Sequence, residues 1–366
     1  MKYVLISCIL FISLNLSAQD CTEASILQKP GIWKEGMKGS VSGIPAADLE
    51  KERKVVAALH NLIKTKYTPM GVEADFNGSY DRPDAEIPVN NYNYNIYFIH
   101  YFCENNIIKT AHETSTTLSI AANRFDGKIY ETPDENNTSG EGYYFLINMP
   151  VEKDGCFYFE EAASLGFGMT GKSRNWLITY DGKLPYAYVS KKEFLEKQKH
   201  MLLTAMPKSI ESSKESLKQN EEEKVRKQEE YKNDPEKLQR YMKNTYLYNK
   251  DRFEKDVIRT EQNYKNALTK IETLLKTPSG ELEQPAIVKQ DPNDYLSYLF
   301  TTDDDAFGKV LIKPNPGYFN GKLSRSSPQF FLLNVTGNEK EIIAAKVMTD
   351  VMKNFDFTAL KNMLGK

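Results

Sequence analysis

The sequence predicts an α+β fold in which an antiparallel sheet with one packed helix is interrupted by a long antiparallel helical hairpin. Two observations support this prediction. Aromatic and β-branched runs separated by two-residue turn signals occupy residues 93–180 and resume at residue 285. Between them, residues 190–276 are rich in charge and carry apolar side chains at helical spacing. We therefore expect a coiled-coil-like insertion within an α+β head.

The first 19 residues have the pattern of a bacterial-type signal peptide. Lys2 supplies the positive start, and residues 3–16 form an apolar core too short to span a membrane. Ser17 and Ala18 supply small residues before the cleavage point. We expect an exported protein, periplasmic or extracellular, with no transmembrane segment in the mature chain.

The remaining chain divides into three predicted parts. Residues 20–189 form the first part of the head, with an amphipathic helix over 48–66 followed by strands. Residues 190–276 form the hairpin. Residues 277–366 form a C-terminal α+β segment in which Gly337 and Asn338 start a helix and Glu341 completes a box-like cap. This tail either completes the head or forms a separate domain. We favour completion of the head because three short strands bury little apolar surface alone.

The hairpin prediction extends to caps and register. Ser190 and Glu193 have the spacing of a capping box, and Asp234 before Pro235 starts the second arm. Pro207 is expected to kink the first arm or to start a new helix. Positions that face each other are expected to sum to about 466, so that Leu202 faces Tyr264.

Catalytic candidates are few because the chain contains only four histidines. Asn105 and Asn106 suit a two-residue turn, which would pair strand 93–103 with strand 107–121. This register places His100 near Glu113, the one histidine–carboxylate pair that it brings together. The pair could exchange protons with a substrate. The alternative is a surface contact between two strand side chains. The scarcity of imidazoles argues against a metal site. No motif in the sequence predicts a cofactor.

Tyr92 and Tyr94 alternate with asparagines in the run 91–97. Flat rings beside amide groups can form a surface that binds a sugar or a peptide. The alternative is an edge strand with one solvated face.

Three cysteines lie beyond the predicted leader: Cys21, Cys103 and Cys156. Export to an oxidising compartment makes a disulfide plausible. Cys103 with Cys156 is the preferred pair because both lie beside hairpin turns. The alternative is three unpaired cysteines packed as small apolar side chains.

The charge pattern restricts the function. The whole chain has a net charge of -2, and residues 191–276 carry 21 basic and 16 acidic side chains. This balance lacks the basic footprint of a nucleic-acid-binding protein. We expect a non-enzymatic binding or scaffold protein that contacts an unknown protein partner, or itself, through residues 190–276. The alternative is an exported hydrolase with a carboxylate or His–Glu site in the head.

Overall fold

The computed structural model describes residues 21–81, 87–124, 130–131, 142–166, 168–180 and 182–366. Helices and mixed sheets are both present, which confirms the α+β class. The predicted leader, 1–19, lies outside the described residues. The helices are α1 (Glu23–Gln28), α2 (Ala46–Lys64), α3 (Lys191–Glu230), α4 (Pro235–Tyr241), α5 (Leu247–Leu274), α6 (Ser279–Leu282), α7 (Ile342–Lys353) and α8 (Phe357–Lys361), with a π-helical turn at Met242–Tyr246 and a 3-10 turn at Pro316–Tyr318.

The strands match the predicted runs in most places. Two strands that the sequence analysis did not predict are β2, whose residues are largely polar, and β13, which follows an acidic turn. The strands are β1 (Trp33–Glu35), β2 (Val72–Asp81), β3 (Asn91–Glu104), β4 (Ile107–Thr110), β5 (Thr117–Ala122), β6 (Tyr130–Glu131), β7 (Tyr144–Leu146), β8 (Val151–Lys153), β9 (Cys156–Ser164), β10 (Thr170–Ile178), β11 (Tyr186–Tyr188), β12 (Ile287–Asp291), β13 (Asp294–Phe300), β14 (Lys309–Pro314) and β15 (Phe331–Gly337).

The larger sheet joins the two ends of the chain. Within the described residues its strand order is β1-β2-β3-β5-β15-β10-β9-β8, with β4 paired to β3. β1 runs parallel to β2, and the other pairs are antiparallel. β15 comes from the C-terminal segment yet lies between β5 and β10. The tail therefore supplies an internal strand, whose residues are all buried.

Helices cover one face of this sheet. Leu59 of α2 and Val347 of α7 belong to the same apolar cluster as Ile96 of β3 and Leu333 of β15. The helix predicted at 48–66 is observed as α2, two residues earlier in the chain. Burial against helices explains the aromatic and β-branched side chains of β3.

A second sheet covers the other face. Its order is β13-β12-β14-β7-β6, with β11 paired to β14. Leu177 and Leu332 of the larger sheet share an apolar cluster with Val310 and Ile312 of the second. The layers are thus helices, the larger sheet and the second sheet.

The long helix α3 starts on the outer face of the second sheet. Phe194 packs with Val288 and Leu311 there. Ser190 caps the helix as predicted, since its Oγ accepts from the Glu193 N–H at 3.2 Å. The Glu193 carboxylate does not close the capping box. It binds the Lys313 ammonium, 2.6 Å away, and so ties the helix to β14.

Side-chain bonds join α3 to α5 along part of their length. Lys199 pairs with Glu272 at 2.7 Å, and Ser209 Oγ lies 2.8 Å from Tyr264 Oη. The Ser209–Tyr264 and Ser213–Thr260 pairs each sum to 473, so the register here is shifted by seven positions from the predicted 466. Leu202 and Tyr264 still share one apolar cluster, and the Asn220–Tyr246 contact at the far end sums to 466. Seven residues are two helical turns, and a shift of two turns keeps the same faces in contact. Pro207 lies inside the continuous helix α3 and does not start a new one.

A row of polar side chains crosses the larger sheet. Asn95, Ser119, Asn334 and Asn175 occupy successive paired positions on β3, β5, β15 and β10. The Asn334 amide donates to Asn175 Oδ1 at 2.7 Å and to Ser173 Oγ at 2.8 Å, and these three side chains are buried. Because buried polar groups need partners, this row selects one strand register.

Candidate functional site

His100 lies at the edge of a cavity of about 560 Å³ on the helix-covered side of the larger sheet. The cavity is bounded by α1, the end of β3, the segment 111–115 and the start of α7. Cavities of this volume can hold a small organic ligand. It is the natural place to test the predicted catalytic pair.

Both ring nitrogens of His100 are hydrogen-bonded inside the protein. Nδ1 lies 2.6 Å from Glu341 Oε1, and Nε2 lies 3.0 Å from Thr116 Oγ1. The His100 side chain is 12% exposed and that of Glu341 is 41% exposed. Glu341 is the N-cap residue of α7, but its side chain makes no cap bond and turns to His100 instead.

The predicted partner Glu113 lines the same cavity but is replaced by Glu341 as the carboxylate bound to His100. The turn at Asn105 and Asn106 is confirmed, with φ angles of 51° and 59°. The strand after it does not continue. Thr110 pairs with Tyr101, and Thr117 pairs with Tyr97. The segment from Thr110 to Thr117 therefore advances seven positions while β3 advances only four. The extra residues leave the ladder and carry Glu113 away from the predicted position.

The geometry limits what His100 can do chemically. A general base needs a nitrogen that reaches the substrate proton itself or a hydroxyl nucleophile that faces the substrate. Here each nitrogen is engaged, and the Thr116 side chain is fully buried, so its hydroxyl does not face the cavity as a nucleophile. Proton transfer to a ligand would require breaking one of these bonds. The chain Glu341–His100–Thr116 therefore anchors the start of α7 to β3.

Tyr92 and Tyr94 are completely buried, so the prediction that they form a binding surface is wrong. Tyr92 Oη donates to the Ser326 carbonyl at 2.9 Å, and Tyr94 Oη lies 2.8 Å from His60 Nδ1. Burial raises the pKa of both phenols. The alternation of tyrosine with asparagine along β3 does place the two residue types on opposite faces of the strand. The face with the tyrosines is covered by α2, and Asn95 lies on the opposite face, half-buried.

Cys103 is bonded to Cys21, with Cα atoms 5.7 Å apart, so the predicted Cys103–Cys156 disulfide is wrong. Cys156 starts β9, four strands from β3 in the sheet. Four strand spacings amount to about 19 Å, whereas a disulfide needs Cα atoms within about 7 Å. Cys156 is a buried free thiol, and burial raises its pKa. The disulfide attaches α1 to the end of β3 beside the cavity.

A second cavity of about 560 Å³ lies between α2 and the start of the larger sheet. His60 stacks on Phe76 with ring centroids 4.0 Å apart and meets Trp33 edge-on. Burial lowers the pKa of His60, so its imidazole is held neutral. The sequence analysis did not single out His60, because in the helical pattern of α2 this position lies next to the apolar face and not on it.

The far end of the long helices contains a compact polar cluster around Tyr246. This side chain lies in the π-helical turn and is buried. Its hydroxyl donates to Glu221 at 2.6 Å and accepts from Lys224 at 3.3 Å, while Asn220 donates to its carbonyl at 3.3 Å. Polar bonds, rather than an apolar core, thus join the two segments there.

Two features are absent from residues 21–81, 87–124, 130–131, 142–166, 168–180 and 182–366, which the structure describes. Nowhere in these ranges do three or more His, Cys, Asp or Glu side chains gather in a way that could hold a metal ion. Among the same residues, no helix combines the length and apolar character needed to cross a membrane.

Comparison with known proteins identifies no relative: no family model, no curated protein and no solved structure matches this chain.

Proposed function

We propose that the protein is an exported, non-enzymatic binding protein that contacts a protein partner through its helical arm, defined as residues 191–274. One observation carries the proposal. No apolar cluster of the described head includes any residue between 207 and 263. Met206 and Tyr264 are the outermost arm residues in such a cluster. The helix beyond Met206 is 24 residues long, which corresponds to about 36 Å.

The surface of the arm supports the same proposal. Leu247 and Ile258 are more than half exposed and lie eleven positions apart. Eleven residues are close to three helical turns, so both lie on one face of α5. Two exposed apolar side chains on one face of a segment that the head does not cover are suited to contact a partner or a second copy of the chain.

Export is supported by the disulfide between Cys21 and Cys103. Structural disulfides persist in oxidising compartments and are rare where thiols are kept reduced. The leader pattern of residues 1–19 agrees with this reasoning.

Shortening the arm tests the proposal. Residues 214–259 are replaced by a short glycine-containing turn, which keeps the Ser209–Tyr264 contact at the base. Light scattering and affinity capture from the native source are then compared with those of the intact protein. We expect the head to remain folded and association to be lost. Partner capture or self-association that persists in the shortened protein would overturn the proposal.

A double variant, Leu247→Ser with Ile258→Ser, provides the finer test because it leaves the arm intact. The matched control is Leu203→Ser, an exposed leucine near the base of α3. Association should fall in the double variant and stay unchanged in the control.

One observation favours the alternative, an exported hydrolase: His100 and Glu113 line the same cavity. The test is hydrolysis of a panel of chromogenic esters and glycosides by the wild type, His100→Gln and Glu113→Gln. Turnover that both substitutions abolish would establish this alternative, and turnover that neither changes would exclude this site.

A further inference from the structure

The cavity beside His100 has an apolar floor. Ile26, Tyr101 and Ile343 are each more than nine-tenths buried and line it, together with the disulfide from Cys21 to Cys103. Leu165 and Met169 continue this apolar wall. A floor of this kind is suited to the hydrocarbon part of a ligand, because covering it removes apolar surface from water.

The charged residues of the cavity are all acidic. Glu23 comes from α1, Glu113 from the segment between β4 and β5, and Glu341 from the start of α7. The described residues that line the cavity include no lysine and no arginine. Three separate elements thus bring carboxylates to one opening.

These carboxylates are available to a ligand. In the described part of the chain, neither Glu23 nor Glu113 forms a side-chain hydrogen bond or ion pair, and both are exposed. Glu341 is engaged by His100 through one oxygen. Lys29 lies over the Tyr101 ring at 5.0 Å, and within the described ranges it pairs with none of the three carboxylates.

We propose that this cavity binds an organic cation with an apolar body, of the arylalkylamine class. The ring or chain covers the floor formed by Ile26, Tyr101 and Ile343, and the ammonium group lies among Glu23, Glu113 and Glu341. The open cavity defines the site, and the three carboxylates that line it favour a positively charged ligand. This site is independent of the helical arm.

Three probes of nearly equal shape test the charge requirement: tryptamine, the neutral alcohol tryptophol, and the anion indolepropionate. Binding is measured by calorimetry and by NMR shift changes at low salt. We expect tryptamine to bind, tryptophol to bind at least tenfold more weakly, and indolepropionate not to bind. Added salt should weaken only the tryptamine complex. Equal binding of tryptamine and tryptophol would overturn the proposal.

Variants locate the site. Glu23→Gln and Glu113→Gln should each weaken tryptamine binding about fivefold, since a unit charge a few ångströms away in water contributes about that factor. Glu254→Gln, an exposed glutamate of α5, is the matched control and should bind as the wild type does. Ser115→Trp should fill the cavity and abolish binding, with a thermal melt to verify folding.

The arm-shortened protein separates this inference from the proposed function. It should bind tryptamine with unchanged affinity even though it no longer associates. Unchanged affinity in both Glu23→Gln and Glu113→Gln would show that the amine binds elsewhere and would overturn the assignment.

Discussion

His100 Nδ1 lies 2.6 Å from Glu341 Oε1, and this contact joins residues 241 positions apart in the sequence. His100 also holds Thr116, so one imidazole links β3, the start of β5 and the start of α7. The relation matters because α7 covers the centre of the larger sheet and because Glu341 is one wall of the adjacent cavity.

Replacement of Glu341 should weaken this link. We expect Glu341→Ala to lower the free energy of unfolding by about 1.5 kcal/mol, the low end for a charged hydrogen bond, because the carboxylate is partly exposed. Urea unfolding of Glu341→Ala, His100→Gln and the double variant measures the coupling. Additive losses in the double variant would show that the contact contributes nothing in solution.

Removal of the disulfide should destabilise the protein more. The bond between Cys21 and Cys103 closes a loop with a sequence separation of 82. Loop entropy for that length gives about 4 kcal/mol for the double variant Cys21→Ser, Cys103→Ser. Chemical denaturation with and without reductant measures the effect.

The control for this experiment is Cys156→Ala, which keeps the disulfide. Reductant should lower the stability of the wild type and of Cys156→Ala by similar amounts and should leave the double serine variant unchanged. A reductant effect that persists in the double serine variant would contradict the assigned pairing.

The buried polar row predicts a third effect. Asn334 donates to both Ser173 and Asn175, so Asn334→Ala deprives two buried groups of a donor at once. We expect a loss of about 2 kcal/mol in the free energy of unfolding. Asn95→Ala is the matched control, because this half-buried residue makes one amide bond, to Asn77. A larger loss in the control than in Asn334→Ala would contradict the importance of the buried row.

Glu52 predicts a pH dependence. Burial raises its pKa above the ordinary 4.5, although Asn90 and Ser326 donate to Oε1. The folded state therefore favours the protonated carboxyl. Its contribution to stability is complete below pH 4.5 and is lost as the pH rises through the raised value. Glu52→Gln should become progressively more stable than the wild type above pH 4.5, as measured by denaturation across pH.

Glu160 supplies a control with the opposite sign. Hydrogen bonds from Lys172 and Tyr158 lower its pKa to about 2. Its contribution is present above pH 4.5 and is lost as the pH falls toward 2. Glu160→Gln should therefore be less stable than the wild type above pH 4.5. The same direction of change in both variants would contradict the assigned burial of Glu52.

Local patterns in the sequence determined the secondary structure well. Periodicity predicted α2 and the two long helical segments, and the asparagine pair 105–106 predicted a turn with positive φ angles. Caps at Ser190 and Asp234 were also readable, because each depends on one side chain and a backbone N–H three residues away. Helices, turns and caps depend on residues a few positions apart, and that spacing can be read from the sequence itself.

Tertiary structure alone decided which of these elements meet. Alternation along β3 separated tyrosines from asparagines, but only the position of α2 made Tyr92 and Tyr94 core residues. The insertion of β15 between β5 and β10 separates β3 from β9 and so removes Cys156 from the reach of Cys103. The same long-range arrangement brings Glu341 to His100 in place of Glu113. Contacts between distant segments depend on strand order and packing, and a periodic pattern contains no information about either.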